Sequence, residues 1–348
     1  MVKNLVNSIS YQQKIIHLIV HLLTGVSIAL ILGLTACEKK QSANPSVIPV
    51  YTSHQPVSDN TVRVGVLTID SVDSVKQRYQ PLLNYLSEVI NRPFSLIPVT
   101  QESQFIEVAQ GNLHFTTNNP LAAVQIRRLY DTEFLLTHSR PQVGTKFAGL
   151  IIVRSDSNIY KLKDLQGKKA ACVAFQTAAA GCTFQIYHLL QNGIDPFLDF
   201  SSFVENKSQD KIVQDVLNAK IDVGFIRTGQ LEKMLNQGLL ENLEQVRILE
   251  SAKNKFFYTH TTQLYPEWPI AAVKGTDPQL VAVVTDALLN IPANHPALAA
   301  AKIEKFLPAE DYGSLDKLIE RLRLKSWNAH RDPFRNSENR QQGVGSRE

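Results

Sequence analysis

Short apolar runs alternate with stretches of helical periodicity from residue 62 onward, and this alternation restricts the possible folds more than any other feature of the chain. Residues 62–66 and 221–226 have the short length and β-branched content of strands. Residues 82–89 instead place apolar side chains three and four positions apart, which predicts a helix with Pro81 in its first turn. Strands and helices in regular succession predict an α/β fold with doubly wound parallel sheets. In such sheets, small molecules bind beyond the carboxyl ends of the strands.

The stretch from residue 160 to residue 185 predicts a strand, a loop of small residues and a helix start. We expect the strand over residues 170–175 and the helix from about residue 182 to residue 191. The alanines and glycine of residues 178–181 allow another group to approach the backbone closely. Because the first turn of a helix has unpaired N–H groups and a partial positive charge, this arrangement can hold an anion. Taken alone, the same pattern is more often an ordinary strand-to-helix turn.

Two further strand ends lead directly into predicted helices. Asn118 and Asn119 follow an apolar run and precede a proline, which predicts a capped helix start. Arg227 and Thr228 follow residues 221–226, so they lie at the carboxyl end of a strand. The planar guanidinium group of arginine suits two oxygens of one anion, and threonine can cap the helix while its hydroxyl contacts a ligand. The alternative for the asparagines is a plain capping role.

The N-terminal segment has the pattern of an export signal. Lys3 and Lys14 precede a long apolar run that ends in Leu-Thr-Ala-Cys, which resembles the bacterial lipoprotein cleavage site. We therefore expect a lipoprotein signal peptide over residues 1–36, and Cys37 as the new N-terminus carrying acyl chains such as palmitate. Residues 37–61 then form a flexible tether that holds the protein on the extracytoplasmic face of the cell membrane. An uncleaved transmembrane anchor is the alternative.

The composition is that of a globular protein, with 44% apolar and 20% charged residues in a chain of 348. This length allows two lobes. The formal net charge of +4 is small, and no basic run is interleaved with aromatic residues, which argues against a nucleic-acid partner. Polar residues 327–348 are expected to form a disordered tail.

The sequence has no pattern that predicts catalysis. It lacks His-Glu-x-x-His, Gly-x-Ser-x-Gly and a phosphate-binding loop ending in Gly-Lys-Ser/Thr. The nine histidines are scattered, and the three cysteines lack the spacing of a zinc site. We therefore expect no enzyme activity, no cofactor and no metal site.

Cys172 and Cys182 flank the loop of small residues. A strand-to-helix turn brings the chain back on itself, so their Cα atoms can come within disulfide range, and export favours oxidation. The alternative for Cys172 is a small core residue on a central strand.

From residue 62 to about residue 324, the chain resembles the phosphate/phosphite/phosphonate-type periplasmic solute-binding proteins of ABC transporters. The resemblance rests on the segments VRVGVLT, NNPLAA, LIIVRSDSNIYKLKDLQGKKAA and KIDVGFIRTGQLEKM. The later segment LYPEWPIAAVKGTDPQLVAVVTDALLNIP is similar to the sensor domain of tetrathionate-type histidine kinases.

This resemblance implies a type II periplasmic binding protein fold, with an oxyanion held between two lobes that a two-strand hinge connects. Lobe 1 would comprise residues 62–149 and 251–326, and lobe 2 residues 150–250. The ligand-binding residues that it implies are Thr68, Asn118, Asn119, Thr177, Gly181, Cys182, Thr183, Arg227 and Thr228. The chain departs from the family in the loop of residues 178–180, where alanines replace hydroxyl-bearing residues.

Two partners are compatible with such a protein. A binding protein for transport would deliver its ligand to an ABC transporter permease, whereas a sensor would act on a signalling partner such as a kinase. The sequence does not separate them. For Arg227, the alternative to binding the anion is an ion pair with Glu267 that latches the two lobes together.

Overall fold

Two mixed sheets with helices on their faces make up the part of the chain that the computed structural model describes, residues 60–322 apart from residue 207. The expected signal peptide, the lipidation site Cys37, almost all of the tether and the C-terminal tail lie outside these residues. Among the described helices, none combines the length and the apolar character needed to cross a membrane.

The strands are β1 (Val62–Leu67), β2 (Phe94–Val99), β3 (Phe115–Thr117), β4 (Glu133–Ser139), β5 (Lys146–Phe147), β6 (Gly149–Arg154), β7 (Lys169–Cys172), β8 (Ser202–Glu205), β9 (Val223–Arg227), β10 (Val246–Ile248), β11 (Tyr265–Pro266), β12 (Pro269–Ala272) and β13 (Lys305–Pro308). The α-helices are α1 (Val72–Ile90), α2 (Ser103–Ala109), α3 (Pro120–Tyr130), α4 (Phe184–Gln191), α5 (Pro196–Asp199), α6 (Gln209–Leu217), α7 (Gln230–Asn236), α8 (Pro278–Leu289), α9 (Pro296–Ala301) and α10 (Gly313–Arg321). A π-helical turn, Ala179–Thr183, precedes α4.

The first sheet has the strand order β13-β4-β12-β3-β1-β2, and we call this sheet with its helices lobe 1. Strands β1, β2 and β3 are parallel because each is connected to the next by a helix. Strand β12 runs antiparallel to both β3 and β4, so β4 has the direction of β1 and β3. The carboxyl ends of β1, β3 and β4 therefore lie at one edge of the sheet, together with the starts of β12 and β13.

The second sheet has the strand order β10-β6-β9-β7-β8, and we call it with its helices lobe 2. Strands β7, β8 and β9 are parallel, whereas β6 is antiparallel to β9 because it enters directly from the other lobe. Strands β5 and β11 pair antiparallel between the two sheets, with Tyr265 opposite Phe147. This pair confirms the expected two-strand hinge.

Helix α1 corrects one expectation. It begins at Val72, where the Ser71 side chain accepts a hydrogen bond from the Ser74 backbone N–H, so Pro81 lies in the helix interior. Proline removes one backbone donor there. The helix continues because its apolar face, which includes Tyr79 and Leu83, is buried in the lobe 1 core against the sheet, α8 and α9.

Residues 256–262, which precede the return crossing to lobe 1, form no strand, and β11 makes that crossing. Side chains and backbone both hold the segment on β6. Thr262 Oγ1 accepts a hydrogen bond from Gly149 N at 2.9 Å, and Thr261 Oγ1 accepts one from Ile151 N at 3.0 Å. The backbone N–H groups of Thr261 and Thr262 both donate to Gly149 O, at 3.0 and 3.1 Å, so the threonine hydroxyls supplement the backbone hydrogen bonds here.

Candidate functional site

The predicted site residues come from strand ends that face the other lobe. Thr68 follows β1, and its backbone N–H donates to Val99 O at 2.8 Å. Asn118 and Asn119 follow β3, and Arg227 is the last residue of β9. Because parallel strands end at the same edge of a sheet, each lobe gathers its loops at one edge.

Asn119 both caps a helix and connects the two lobes. Its Oδ1 accepts a hydrogen bond from Ala122 N at 3.1 Å, which is the expected cap of α3. Its Nδ2 donates to Gln101 Oε1 in lobe 1 and to the Thr177 carbonyl oxygen in lobe 2, each at 3.1 Å. The Asn119 side chain therefore caps α3 and also contacts lobe 2, whereas its role in ligand binding stays a prediction.

Asn118 is 1% exposed, and its buried Oδ1 has no hydrogen-bond partner among the described residues. Its Nδ2 donates to Gln104 Oε1 at 2.5 Å, which fixes the orientation of the amide and leaves Oδ1 unpaired. An unpaired buried carbonyl oxygen is costly, so this oxygen is suited to a donor from a ligand or a water molecule.

The loop of small residues in lobe 2 packs on lobe 1. Ala179 and Ala180 share a buried apolar cluster with Leu121 and Val124 of α3. Next to them, Gln125 Nε2 donates to the Gln176 carbonyl oxygen at 3.2 Å. The small alanine side chains therefore allow a helix of the other lobe to approach the loop.

Within this loop, the predicted residues have mainly structural roles. The Thr183 hydroxyl is fully buried and donates to the carbonyl oxygens of Ala178 and Ala179, at 3.1 and 3.2 Å. Gly181 accepts from Val173 N, and a Cβ atom there would lie 2.9 Å from Val173 Cγ2. A larger residue at position 181 would displace the turn.

Cys172 and Cys182 form a disulfide with their Cα atoms 5.0 Å apart. Both residues are fully buried. The bridge closes the base of the loop, so that β7 ends at Cys172 rather than at residue 175, and the chain turns back into the π-helical turn. The disulfide thus holds the loop that contacts lobe 1.

Arg227 is half-buried at the end of β9. Its Nη1 donates to the Thr228 carbonyl oxygen at 3.1 Å, and its backbone N–H donates to Gln209 Oε1 at 2.8 Å. Thr228 does not cap the following helix, as had been expected, because its Oγ1 accepts from Ala148 N at 3.3 Å. Gly229 takes the cap position with a φ of 75°, which favours glycine.

Lobe 1 contributes two arginines whose charges act on Arg227. Arg78 on α1 and Arg140 directly after β4 both donate to the carbonyl oxygen of Ala301, at 3.1 and 3.3 Å. Arg78 Nε is buried and has no hydrogen-bond partner among the described residues. Arg140 is not recognisable as a site residue from the sequence, because residues 133–139 carry no clear strand pattern. A short apolar run followed by arginine was the only signal.

Glu267 pairs with Arg140 rather than with Arg227. The distance from Arg140 Nε to Glu267 Oε2 is 3.4 Å, and Glu267 Oε2 also accepts from Trp268 N at 3.1 Å. Burial disfavours the charge of Arg140, but Glu267 and Tyr79 more than offset it and raise the pKa of Arg140. Arg227 thus forms no direct ion pair with Glu267, which was the alternative considered for it, and Glu267 attracts Arg227 only at longer range.

Charges from both lobes act on Arg227. Burial lowers the pKa of Arg227 from its ordinary value, and the attraction of Glu267 opposes that shift. The positive charges of Arg140 and Arg78 lower this pKa further. Cationic groups from opposite lobes therefore repel one another electrostatically.

His138 at the end of β4 is a fully buried neighbour of these arginines. Burial and then the charges of Arg140 and Arg78 lower the pKa of His138 well below its ordinary value. Since Arg140 Nη2 can only donate, His138 Nδ1 at 3.4 Å is the acceptor, and the neutral ring directs Nε2–H to Thr117 Oγ1 at 3.2 Å. His138 thus helps to orient Arg140.

Comparison with known proteins relates this architecture to binding proteins. Residues 64–312 match the family described as ABC transporter, phosphonate, periplasmic substrate-binding protein. The tetrathionate sensor histidine kinase TtrS of Salmonella typhimurium is 26% identical over 238 residues, covering 67% of this chain. The chain spans only 40% of the length of that relative.

Solved structures of low sequence identity share the fold. XAC2383 from Xanthomonas citri bound to ATP has a TM-score of 0.64 at 19% identity, covering 76% of this chain and 98% of its own. PhnD1 from Prochlorococcus marinus in complex with methylphosphonate has a TM-score of 0.61 at 14% identity, covering 76% of this chain and 99% of its own. Since the family match extends from β1 to the start of the last described helix, the chain belongs to the phosphonate-type periplasmic substrate-binding proteins of ABC transporters.

Proposed function

We propose that this protein captures a small oxyanion between its two lobes and delivers it to an ABC transporter. The observation that carries the proposal is the convergence of Arg78 and Arg140 of lobe 1 on one carbonyl oxygen, with Arg227 of lobe 2 within electrostatic reach. Glu267 forms an ion pair with Arg140, and among the described residues no other carboxylate forms an ion pair with any of these three arginines. Partly buried cations with too few counter-charges are stabilised by a bound anion.

The other residues of the expected site then have distinct roles. Thr68, Asn118 and Thr228 would line the space between the lobes with Arg227. Asn119 and Thr177 would hold the two lobes together through their hydrogen bond. Gly181, Cys182 and Thr183 would maintain the shape of the loop that packs on lobe 1.

A thermal-shift screen of the full chain tests the proposal. The screen would contain phosphate, phosphite, methylphosphonate, sulfate, tetrathionate and a carboxylate such as acetate. A ligand present at a hundred times its dissociation constant should stabilise the folded protein by about 2.7 kcal/mol. If none of these anions raises the melting temperature, the proposed ligand class is wrong.

We also propose that the protein is anchored to the extracytoplasmic face of the membrane through Cys37. The sequence Leu-Thr-Ala-Cys at the end of the N-terminal apolar run supports this. Several acyl chains on one cysteine would suffice for stable attachment, whereas a single chain would not. Mass spectrometry of the purified protein should find Cys37 at the N-terminus with acyl chains, and a retained Met1 with unmodified Cys37 would contradict the lipoprotein assignment.

Ligand sensing is a second candidate function, and the similarity to a tetrathionate sensor kinase favours it. A deletion strain separates the two. If the protein serves transport, deletion should abolish uptake of the identified anion. If it serves sensing, deletion should leave uptake unchanged and abolish the transcriptional response to that anion.

A further inference from the structure

Residues 252–260 form a closed loop in lobe 2, which we call the aromatic loop. Its ends meet because Ala252 N donates to His260 O at 2.8 Å. His260 is 2% exposed and fixes the interior of the loop. Its Nδ1 donates to the Thr262 carbonyl oxygen at 2.6 Å, so Nε2 of the neutral ring accepts from Asn254 Nδ2 at 2.9 Å. The loop therefore presents its other side chains from a fixed frame.

The aromatic loop is anchored beside Arg227. In the pairing of β6 with β9, Gly149 lies opposite Arg227. The two residues that follow the loop, Thr261 and Thr262, donate their backbone N–H groups to Gly149 O at 3.0 and 3.1 Å. The loop therefore adjoins the sheet at the strand position of Arg227, where the predicted site residues of lobe 2 lie.

Tyr258 of this loop packs against the chain directly after Arg227 and Thr228. A Cβ atom at Gly229 would lie 3.2 Å from Tyr258 Cε2, so the absence of a side chain at position 229 lets the ring approach the backbone closely. Tyr258 remains only half-buried. The next ring, that of Phe257, is 56% exposed and meets Tyr258 edge to face with the ring centroids 4.9 Å apart. The loop thus places partly exposed aromatic surface next to Arg227.

We propose that Tyr258 contacts the organic substituent of the bound anion, and that the site takes oxyanions carrying a large apolar substituent, above all an aromatic ring. This inference rests on the oxyanion capture proposed above. Arg227 would hold the charged end of such a ligand, and the Tyr258 ring would pack on the other end. Because the loop is held in place by its own hydrogen bonds, the contact would require little ordering on binding.

Pairs of probes that share a charged group isolate the effect of the substituent. The pairs are methylphosphonate with phenylphosphonate, methanesulfonate with benzenesulfonate, and acetate with benzoate. Calorimetric titration of the full chain with both members of each pair, at an alkaline pH where the two carry the same charge, gives the ratio of their affinities. Since the charged group is shared, this ratio reports the contacts of the substituent.

For the charged group that binds, we expect the aromatic member to bind about tenfold more tightly than the methyl member. A ratio near one or below in every pair that binds would overturn the substituent inference while leaving oxyanion capture intact. Binding of inorganic anions alone would have the same consequence. If none of the six probes binds and the thermal-shift screen is also negative, oxyanion capture is overturned and this inference with it.

The variant Tyr258→Ala tests the assignment to this ring. It should lower the affinity for the aromatic member roughly tenfold and that for the methyl member much less, so that the ratio falls towards one. Tyr258→Phe keeps the ring and should keep the ratio. Tyr160→Ala is the matched control and should bind like the parent, because Tyr160 is an exposed tyrosine of lobe 2 whose ring lies 4.2 Å from the guanidinium carbon of Arg247.

The ratio separates a ligand contact from a purely structural role of Tyr258. An equal loss for both members in Tyr258→Ala, or an unchanged ratio, would overturn the assignment, since damage to the loop would weaken both members alike. Should Tyr258→Ala fail to fold, Tyr258→Gln retains a long side chain over Gly229 and should lower the ratio in the same way.

Discussion

Asn119 of lobe 1 donates through Nδ2 to the carbonyl oxygen of Thr177 in lobe 2 at 3.1 Å, while its Oδ1 caps helix α3. The same side chain therefore caps a helix of lobe 1 and contacts lobe 2. Gln125 forms a parallel contact to the Gln176 carbonyl oxygen, so two adjacent carbonyl groups of the same loop accept hydrogen bonds from α3. A loop held at its base by a disulfide thus docks on one helix of the opposite lobe.

Two substitutions of Asn119 should separate its two functions. Asn119→Ser retains an oxygen that can cap α3 but cannot reach Thr177, so it should lose about 1 kcal/mol of unfolding free energy. Asn119→Ala loses the cap as well and should lose about 2 kcal/mol. Anion affinity should fall by the same few-fold factor in both variants. Chemical denaturation and calorimetry measure these values, and a serine variant that binds like the parent would show that the Thr177 contact does not stabilise the ligand-bound arrangement.

Removal of the disulfide should destabilise the protein. Cys172 and Cys182 are 10 residues apart, and a loop of this length corresponds to about 2 to 3 kcal/mol of chain entropy in the unfolded state. The double variant Cys172→Ala/Cys182→Ala should show this loss in denaturant unfolding. Reductant should lower the stability of the parent towards that of the variant and leave the variant unchanged. Two free thiols in protein isolated from the oxidising compartment would contradict the bridge.

Truncation of Arg227 should distinguish a ligand contact from a latch. If Arg227 binds the anion directly, Arg227→Ala should lose about 2 to 5 kcal/mol of binding free energy with little change in the stability of the ligand-free protein. Arg154→Ala in the same lobe is the control, because Arg154 pairs with the exposed Asp156. An Arg227→Ala variant that binds as tightly as the parent but unfolds more readily would assign Arg227 to the latch.

The stability should fall as the pH decreases below about 6.5, partly because of His138. The pKa of His138 is lowered in the folded state, so below the ordinary histidine pKa the unfolded chain binds a proton that the folded protein does not. One such group contributes a slope of up to about 1.4 kcal/mol per pH unit. His138→Gln should reduce the slope of the unfolding free energy against pH.

The slope should not vanish in that variant, because burial also lowers the pKa of His188. The measurement is denaturant unfolding at several pH values, in which the slope rather than the absolute stability is compared. An unchanged slope in His138→Gln would show that His138 is not the group that takes up the proton on unfolding.

The amino-acid sequence by itself determined those features that depend on neighbouring residues. Asn119 starts helix α3 as expected, because a side-chain oxygen followed by helix-forming residues satisfies free backbone donors locally. Ser208 and Asp277 start α6 and α8 in the same way. Arg227 lies at a strand end because the apolar run before it stops there. The alternation of strands and helices led to the two sheets for the same reason.

Only the tertiary structure decided which distant groups meet. Arg140 and Arg78 share the carbonyl oxygen of Ala301 across 161 and 223 residues of chain, because α1, β4 and α9 pack in one lobe. No local pattern specifies such a meeting. The loop of small residues likewise proved to contact α3, since its neighbour depends on how the hinge places the lobes. Local backbone preferences therefore specified the elements, whereas the burial of apolar faces over long sequence separations assembled the candidate site.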